Sequence, residues 1–343
     1  MNKWIIGGLI AVLMVVLLRA DQIGLSGVTA GKIVTIAEMA GDVPMRVARV
    51  QTANGDVQAV IQSLQTPFTV GSSVVLDKTE LAGETSYVVT DFVRTPALIR
   101  LFAIFVILTL VVAGMNGVRS IFGLYVSIAI IFTFVLPQIT MGGNPLFVTM
   151  MAALVIIFAS YYLTHGFATK TTIAVVGTLA ALIFTGVLVL LFSKLSYLTG
   201  FGSEEAFYLP AGIGTAENIY NLYLAGVMIG TIGVLDDITI AQAGIVAELA
   251  EANHKLGMAE LFVRAMRIGH DHIGSLVNTL VLVYAGSGLP LLLLFINSQQ
   301  TVMSLVNYEP IAEEIVRTLV GSMGLIVAVP LTTMIAAYWY AKR

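Results

Sequence analysis

The chain has 343 residues, 58% of them hydrophobic and 11% charged, with a formal net charge of −3. A mean hydropathy of +0.94 lies outside the range of soluble globular domains and predicts a multi-span membrane protein. The small, scattered charge argues against a nucleic-acid surface or a polybasic lipid-binding patch. The lack of cysteine excludes disulfides, thiolate metal sites and cysteine nucleophiles.

Residues 1–20 predict an N-terminal membrane anchor. Residues 4–18 are continuously apolar and are flanked by Lys3 and Arg19, a length that suits either a short span or a signal-peptide core. The following "LLRADQ" puts an arginine where a cleavage signal carries something neutral, so an uncleaved anchor is expected. Residues 21–95 are more polar, with no helix-length apolar run. Strand patterns recur in "GKIVTIA", "SSVVL" and "TSYVVTDF", and "MRVARVQTANGDVQAVIQ" reads as a hairpin turning at Asn54-Gly55, a pair suited to a type I′ turn. A small all-β domain follows, a barrel or sandwich of OB-like kind. It shows no catalytic or metal-ligand cluster, and so reads either as a folded cap or as a recognition module.

From residue 96 to 343 the chain is lipid-like again, with apolar helices expected near 97–113, 121–136, 146–162, 171–192, 219–235, 273–296 and 316–340. Each approaches the roughly 20 residues that cross a bilayer core. The fold class is thus an α-helical polytopic membrane protein of about eight transmembrane helices, with a small OB-like extracytoplasmic domain. Tyr338, Trp339 and Tyr340 fit an interfacial aromatic anchor. With the amino terminus inside, Arg119, Lys170, Lys255, Arg264, Arg267, Lys342 and Arg343 fall on the cytoplasmic side, which basic residues favour. The outer segments then carry Lys194 and Arg317 beside Glu204, Glu205, Glu309, Glu313 and Glu314. Arg94 and Arg100, where the outer domain meets the second span, run against this pattern without reversing it. Both termini are expected in the cytoplasm of a bacterial plasma-membrane protein, with residues 21–95 outside.

Two polar constellations stand out. The first lies on a helix expected from about 217 to 242. Glu217 and Asn221 share a face at its outer end, while Asp236, Asp237, Thr239 and Gln242 cluster at its inner end. Between them Gly226 and Gly230 have a small-xxx-small spacing, which reads first as helix packing. The second is "RIGHDHIGSLVNTL", where Asp271, Ser275, Asn278 and Thr279 form one polar helical stripe beside His270 and His272. Such a stripe needs partners in the bundle or a wet cavity, and intramembrane ionisable groups are functional candidates.

Three readings stay open. The acids and histidines form an ion-binding or proton-relay site at the inner mouth of a translocation path, bind a divalent metal for hydrolysis, or merely sit at the membrane surface. In the last case Asp236 and Asp237 cap a following helix and pair with Arg264 or Arg267. The metal reading is weakened because His270 and His272 point about 200° apart on a helix, and H-E-x-x-H is absent. Residues 243–267 mix Leu249, Leu256, Leu261, Phe262 and Met266 with charges, as in amphipathic helices on the inner surface that clamp the mouth or connect two spans. "AGSGLP", at 285–290, is a point where the seventh span can break.

"GVLDDITIAQA" followed by "RIGHDHIGSLVNTLVLVYAGSGLP" resembles the signature of the YibE/F-like family of bacterial multi-pass membrane proteins, in particular its longer, YibE-type members. The resemblance implies a bacterial plasma membrane and a shorter YibF-like membrane partner or a homo-oligomer. It supplies no catalytic residue. The expected function is a transporter or permease coupled to protons or cations, with a non-catalytic scaffold or receptor as the alternative. No enzymatic activity, cofactor, metal or nucleic-acid partner is expected, and the lipid bilayer is the first partner. Without a nucleotide-binding loop, energy would come from an ion gradient or a separate ATPase.

Overall fold

A computed structural model describes residues 2–18, 29–39, 45–61, 66–81, 84–209, 213–297 and 301–342. Arg19 and Arg343 lie outside the described residues. The chain divides into two compact units, Met1–Val118 and Arg119–Arg343.

The first unit begins with helix α1, Asn2–Leu18, the 17 residues of the expected anchor. Five strands follow: β1 (Thr29–Met39), β2 (Met45–Thr52), β3 (Gly55–Ile61), β4 (Ser73–Leu81) and β5 (Glu84–Phe92). They close a barrel in the order β1-β2-β3-β5-β4, with β3 and β5 parallel and the other neighbours antiparallel. Alternation decides which side is inside: Ala48 and Val50 of β2 are buried while Arg49 and Gln51 are exposed. They meet Ile33, Ile61, Val74 and Val89 in a core sealed by Phe68, whose ring lies 4.6 Å from that of Phe92. The hairpin forms where the sequence put it, with its turn one residue earlier. Thr52 pairs with Gly55, so Ala53 and Asn54 occupy the corner and Gly55 takes the positive φ of 116°. Asn54 has no positive φ, so the turn is not type I′; the glycine absorbs the twist instead. At the barrel's end Asp91 accepts from the Phe92 N–H at 2.8 Å and pairs with Arg94. These partners hold its carboxyl below the usual aspartate range.

Helix α2, Thr95–Ile130, is broken at Gly114 (φ 57°, ψ −130°). A Cβ on Gly117 would lie 2.7 Å from the Thr109 carbonyl oxygen, eight residues earlier, so the chain turns sharply there. This bend separates the two spans expected at 97–113 and 121–136, which run together as one helical stretch, Thr95–Thr140. After Ile130 the stretch continues as a π-helical turn, Ile131–Val135, and a short α3, Leu136–Thr140.

The second unit holds the end of that stretch and helices α4 (Pro145–His165), α5 (Thr169–Leu195), α6 (Ala216–Ala252), α7 (Met258–Ser287), α8 (Leu289–Asn297), α9 (Val302–Val306) and α10 (Glu309–Tyr340). Asn144 starts α4 by accepting the Phe147 N–H at 3.1 Å, and Thr215 starts α6 by accepting that of Asn218. Five stretches among the described residues are long and apolar enough to cross a membrane: Thr95–Thr140, Pro145–His165, Thr169–Leu195, Ala216–Ala252 and Glu309–Tyr340. The expected eight are not all found as separate stretches of that kind. The anchor helix is short, two expected spans share one bent stretch, and the span expected at 273–296 is divided. That division falls within "AGSGLP", with α7 ending at Ser287 and α8 starting at Leu289.

Helix α5 packs on α6 and α10, α10 also on α6 and α7, and α4 on α6. Ile157, Leu224, Leu235, Leu325 and Val329 are fully buried where they meet. The close approaches are not at Gly226, where an added Cβ would find nothing within 4 Å, nor at Gly230, where it would meet only the Tyr284 hydroxyl at 3.6 Å. They occur where Gly177 faces Thr332 and Gly324 faces Thr185. No separate surface helix occupies 243–267. Its first part is the tail of α6 and its last part the head of α7, joined by residues 253–257.

A carboxylate cleft backed by a hydroxyl triad

Asp236 and Asp237 sit in the middle of α6, a continuous 37-residue helix. No helix starts there, which removes the capping role. Arg264, offered as a surface partner, pairs instead with Glu260 four residues back on α7.

Both aspartates line a cleft of about 390 Å³ between α2, α4 and α6. Its polar lining is Ser120 and Ser127 from α2, Ser160, Thr164 and His165 from α4, and the two acids. Asp237 is exposed and Asp236 half-buried. One Asp236 oxygen accepts from the Ser160 hydroxyl at 3.3 Å, while the other is buried with no hydrogen-bond partner. An unpartnered buried carboxylate oxygen is costly and marks a place where a proton or a cation would be stabilised.

Behind the acid stand Tyr161 from α4, Thr178 from α5 and Thr239 from α6, all fully buried. Tyr161 also reaches the cleft wall. The Tyr161 and Thr239 hydroxyls are 2.7 Å apart, those of Thr178 and Thr239 2.8 Å, and Tyr161 and Thr178 are also in contact. The Thr239 hydroxyl lies 2.8 Å from the Leu235 carbonyl, to which it donates. The Thr239 hydroxyl also lies 3.4 Å from the Asp236 carbonyl, so three hydroxyl protons face five contacts and some of them always lack a proton. Which contacts are empty can change by rotating hydroxyls alone, with no backbone movement.

The rest of the expected site lies elsewhere. Gln242 is fully buried and donates from Nε2 to the Ala265 carbonyl at 3.1 Å, tying α6 to α7. Its Oε1 has no partner. His270, Asp271, Ser275, Asn278 and Thr279 are exposed on α7; His272 is half-buried, its Nδ1 unpartnered. None of the six lines the Asp236 cleft. The reason is the seam of α7: Leu261, Ala265 and Gly269 face the bundle, which turns the polar stripe away. At the other end of α6, Glu217 is exposed and Asn221 buried. Among the described residues, no group of three or more His, Asp or Glu is placed to hold a metal ion.

The sequence reading missed Ser160, Tyr161, Thr178 and His165. Thr178 is a single polar residue in an apolar run, whereas a signal for the others existed in "FASYYLTH", where Ser160, Tyr161, Thr164 and His165 crowd one helix end.

Residues 101–342 match the family model described as YibE/F-like protein. No curated protein and no solved structure matches the chain.

Proposed function

Since the chain belongs to the YibE/F-like family of membrane proteins, we propose that it is a membrane transporter coupled to protons or small cations, and that Asp236 is its coupling group. The observation that carries this reading is the Asp236 carboxylate itself, half-buried between membrane helices, open to a cleft and with one oxygen unsatisfied. A purely structural acid would be fully bonded or turned to water. Ser160 holds one oxygen and leaves the other for the transported or coupling ion, while Asp237 and His165 set the charge of the mouth. The hydroxyl triad fixes α4, α5 and α6 around the acid.

The orientation is that given by the basic residues. Helix α4 ends at His165 and α5 starts at Thr169, so Lys170 lies at the end of the bundle where the Asp236 cleft is. Glu204 and Glu205 follow the other end of α5. Basic residues favour the cytoplasm, so the Asp236 cleft opens inward in a bacterial plasma membrane. The small barrel, OB-like in its strand order, then stands outside as a recognition module for substrate or partner.

The test uses purified protein in liposomes, with H⁺, Na⁺ and K⁺ gradients applied in turn and internal pH or ion concentration followed by a trapped dye. Wild-type vesicles dissipate at least one gradient faster than empty ones, and Asp236→Asn slows that flux at least about tenfold. Unchanged flux in the variant overturns the coupling role. Wild-type vesicles as tight as empty ones to all three ions overturn the transport reading in favour of a scaffold or receptor.

A further inference from the structure

A second cleft lies in the same unit. It measures about 350 Å³ and is lined by the π-helical turn, the start of α4, the first half of α6, residues 200–209 and the start of α10. Helix direction places it at the opposite end of the bundle. Residues 200–209 follow the C-terminus of α5, a helix roughly 40 Å long whose N-terminus lies beside the Asp236 cleft. Thr149, in the first turns of α4, lines this cleft, and Ser160, Tyr161, Thr164 and His165, in its last turns, line the other.

The polar lining is built. Glu313 is only 5% exposed, and its Oε1 accepts the Gly202 N–H at 3.0 Å. A Cβ at Gly202 would come within 2.5 Å of that carboxyl, so the loop presses its backbone directly on the acid. Thr149 is 1% exposed, and its hydroxyl has no partner. Thr185, Thr231 and Thr333, buried in neighbouring helices, each satisfy theirs by donating to the carbonyl four residues back. Thr149, which lines the cleft, has no such bond. Glu205 adds a second acid at the rim, and Arg317 lines the same cleft, its guanidinium 3.5 Å from Glu314 and over the Tyr223 ring.

The two clefts share two residues, Ile131 and Ile229, both apolar and half-buried. Ile131 opens the π-helical turn, a distortion that lets a helix change its winding locally and that recurs at functional sites. A constriction of apolar side chains between two wet clefts blocks ions by dewetting.

Resting on the transport reading above, we propose that the Glu313 cleft is a second cation-binding site on the same path, reached from the membrane face opposite Asp236, with Ile131 and Ile229 as the barrier between the two. Glu313 supplies the charge and Thr149 an uncharged oxygen, hard oxygen donors of the kind that small hard cations take.

The chain has no cysteine, so single thiols can be placed in it without background. Gly226 borders the Glu313 cleft and Gly233 the Asp236 cleft, and an added Cβ at either meets nothing within 4 Å. In cells expressing the full chain, Gly226→Cys and Gly233→Cys are treated with membrane-impermeant methanethiosulfonates from outside, then after permeabilisation. Each thiol is expected to react from one face only, and the two from opposite faces. Adding Ile131→Ser with Ile229→Ser makes each reactive from both faces; if that pair does not accumulate, Ile229→Ala alone is read the same way. At Gly226→Cys a trimethylammonium reagent reacts about tenfold faster than a sulfonate one, and Glu313→Gln removes that preference.

Labelling of both thiols from the same face, or sidedness unmoved by the isoleucine changes, overturns the shared path. Equal rates for the two reagents overturn the cation site. None of these readouts needs a transported substrate, so they fail or stand separately from the flux of Asp236→Asn.

Discussion

Helices α6 and α7 carry much the same polar vocabulary, acids, threonines and an amide at helical spacing, yet the bundle treats them in opposite ways. On α6 the spacing turns Asp236 and Thr239 toward α4 and α5, where Ser160, Tyr161 and Thr178 meet them. On α7 a seam of small and apolar residues, Leu261, Ala265 and Gly269, takes the buried side, and Asp271, Ser275, Asn278 and Thr279 are left exposed. The difference is set by what lies opposite the charged positions. A polar group on a membrane helix becomes a site only where a neighbouring helix brings partners to it.

The largest test of that contrast is functional. Asp236→Asn is expected to lower ion flux at least about tenfold, equivalent to about 1.4 kcal/mol in the barrier, while Asp271→Asn stays within about twofold of wild type. The reverse pattern would move the site to α7. The contrast also predicts stability. A Cβ on Gly269 would lie 2.7 Å from Val329 and 3.1 Å from Gln242, so Gly269→Ala should destabilise by about 1–3 kcal/mol in thermal unfolding in detergent. Gly233→Ala, into open space, should stabilise by up to about 1 kcal/mol through helix propensity. Finer still, Thr239→Val removes the centre of the hydroxyl triad and should cost about 1–2 kcal/mol, because Tyr161 and Thr178 keep buried hydroxyls beside a methyl. Thr279→Val, whose hydroxyl bonds only the Ser275 carbonyl on an exposed face, should stay within about 0.5 kcal/mol.

A small β domain, barrel or sandwich, was readable in the sequence because alternation is local: Arg49 and Gln51 flanking Val50 already say which side is wet. The apolar spans were readable for the same reason, and Asp236 could be singled out because a carboxylate in an apolar run is rare. What could not be read was partnership. Tyr161 and Thr178 look like ordinary members of apolar helices, and only the packing of α4 and α5 on α6 makes them neighbours of Thr239. The stripe on α7 misled for the complementary reason. Spacing shows that residues share a face, but not whether that face turns inward. Asp237 illustrates both halves: one residue from Asp236, it lies about 100° around the helix and is exposed.

Gln242 is where the two helices meet, and replacing it asks whether their tie is structural or functional. Its Nε2 donates to the Ala265 carbonyl, an α7 backbone group whose own helix already offers it an amide, so losing the side-chain bond leaves no orphan there. Its Oε1, by contrast, is buried with nothing to accept from, a standing cost that methionine would remove while filling the same space. The two effects oppose one another, so Gln242→Met should change stability by less than about 1 kcal/mol, whereas Gln242→Ala, which opens a cavity, should cost about 2–4 kcal/mol. If Gln242→Met unfolds as readily as the alanine variant, Oε1 has a donor in the native membrane and the amide belongs to a larger polar network. If it stays folded but flux falls with it, the amide link transmits motion between α6 and α7, and the exposed stripe on α7 is joined to the Asp236 cleft through its backbone rather than through its side chains.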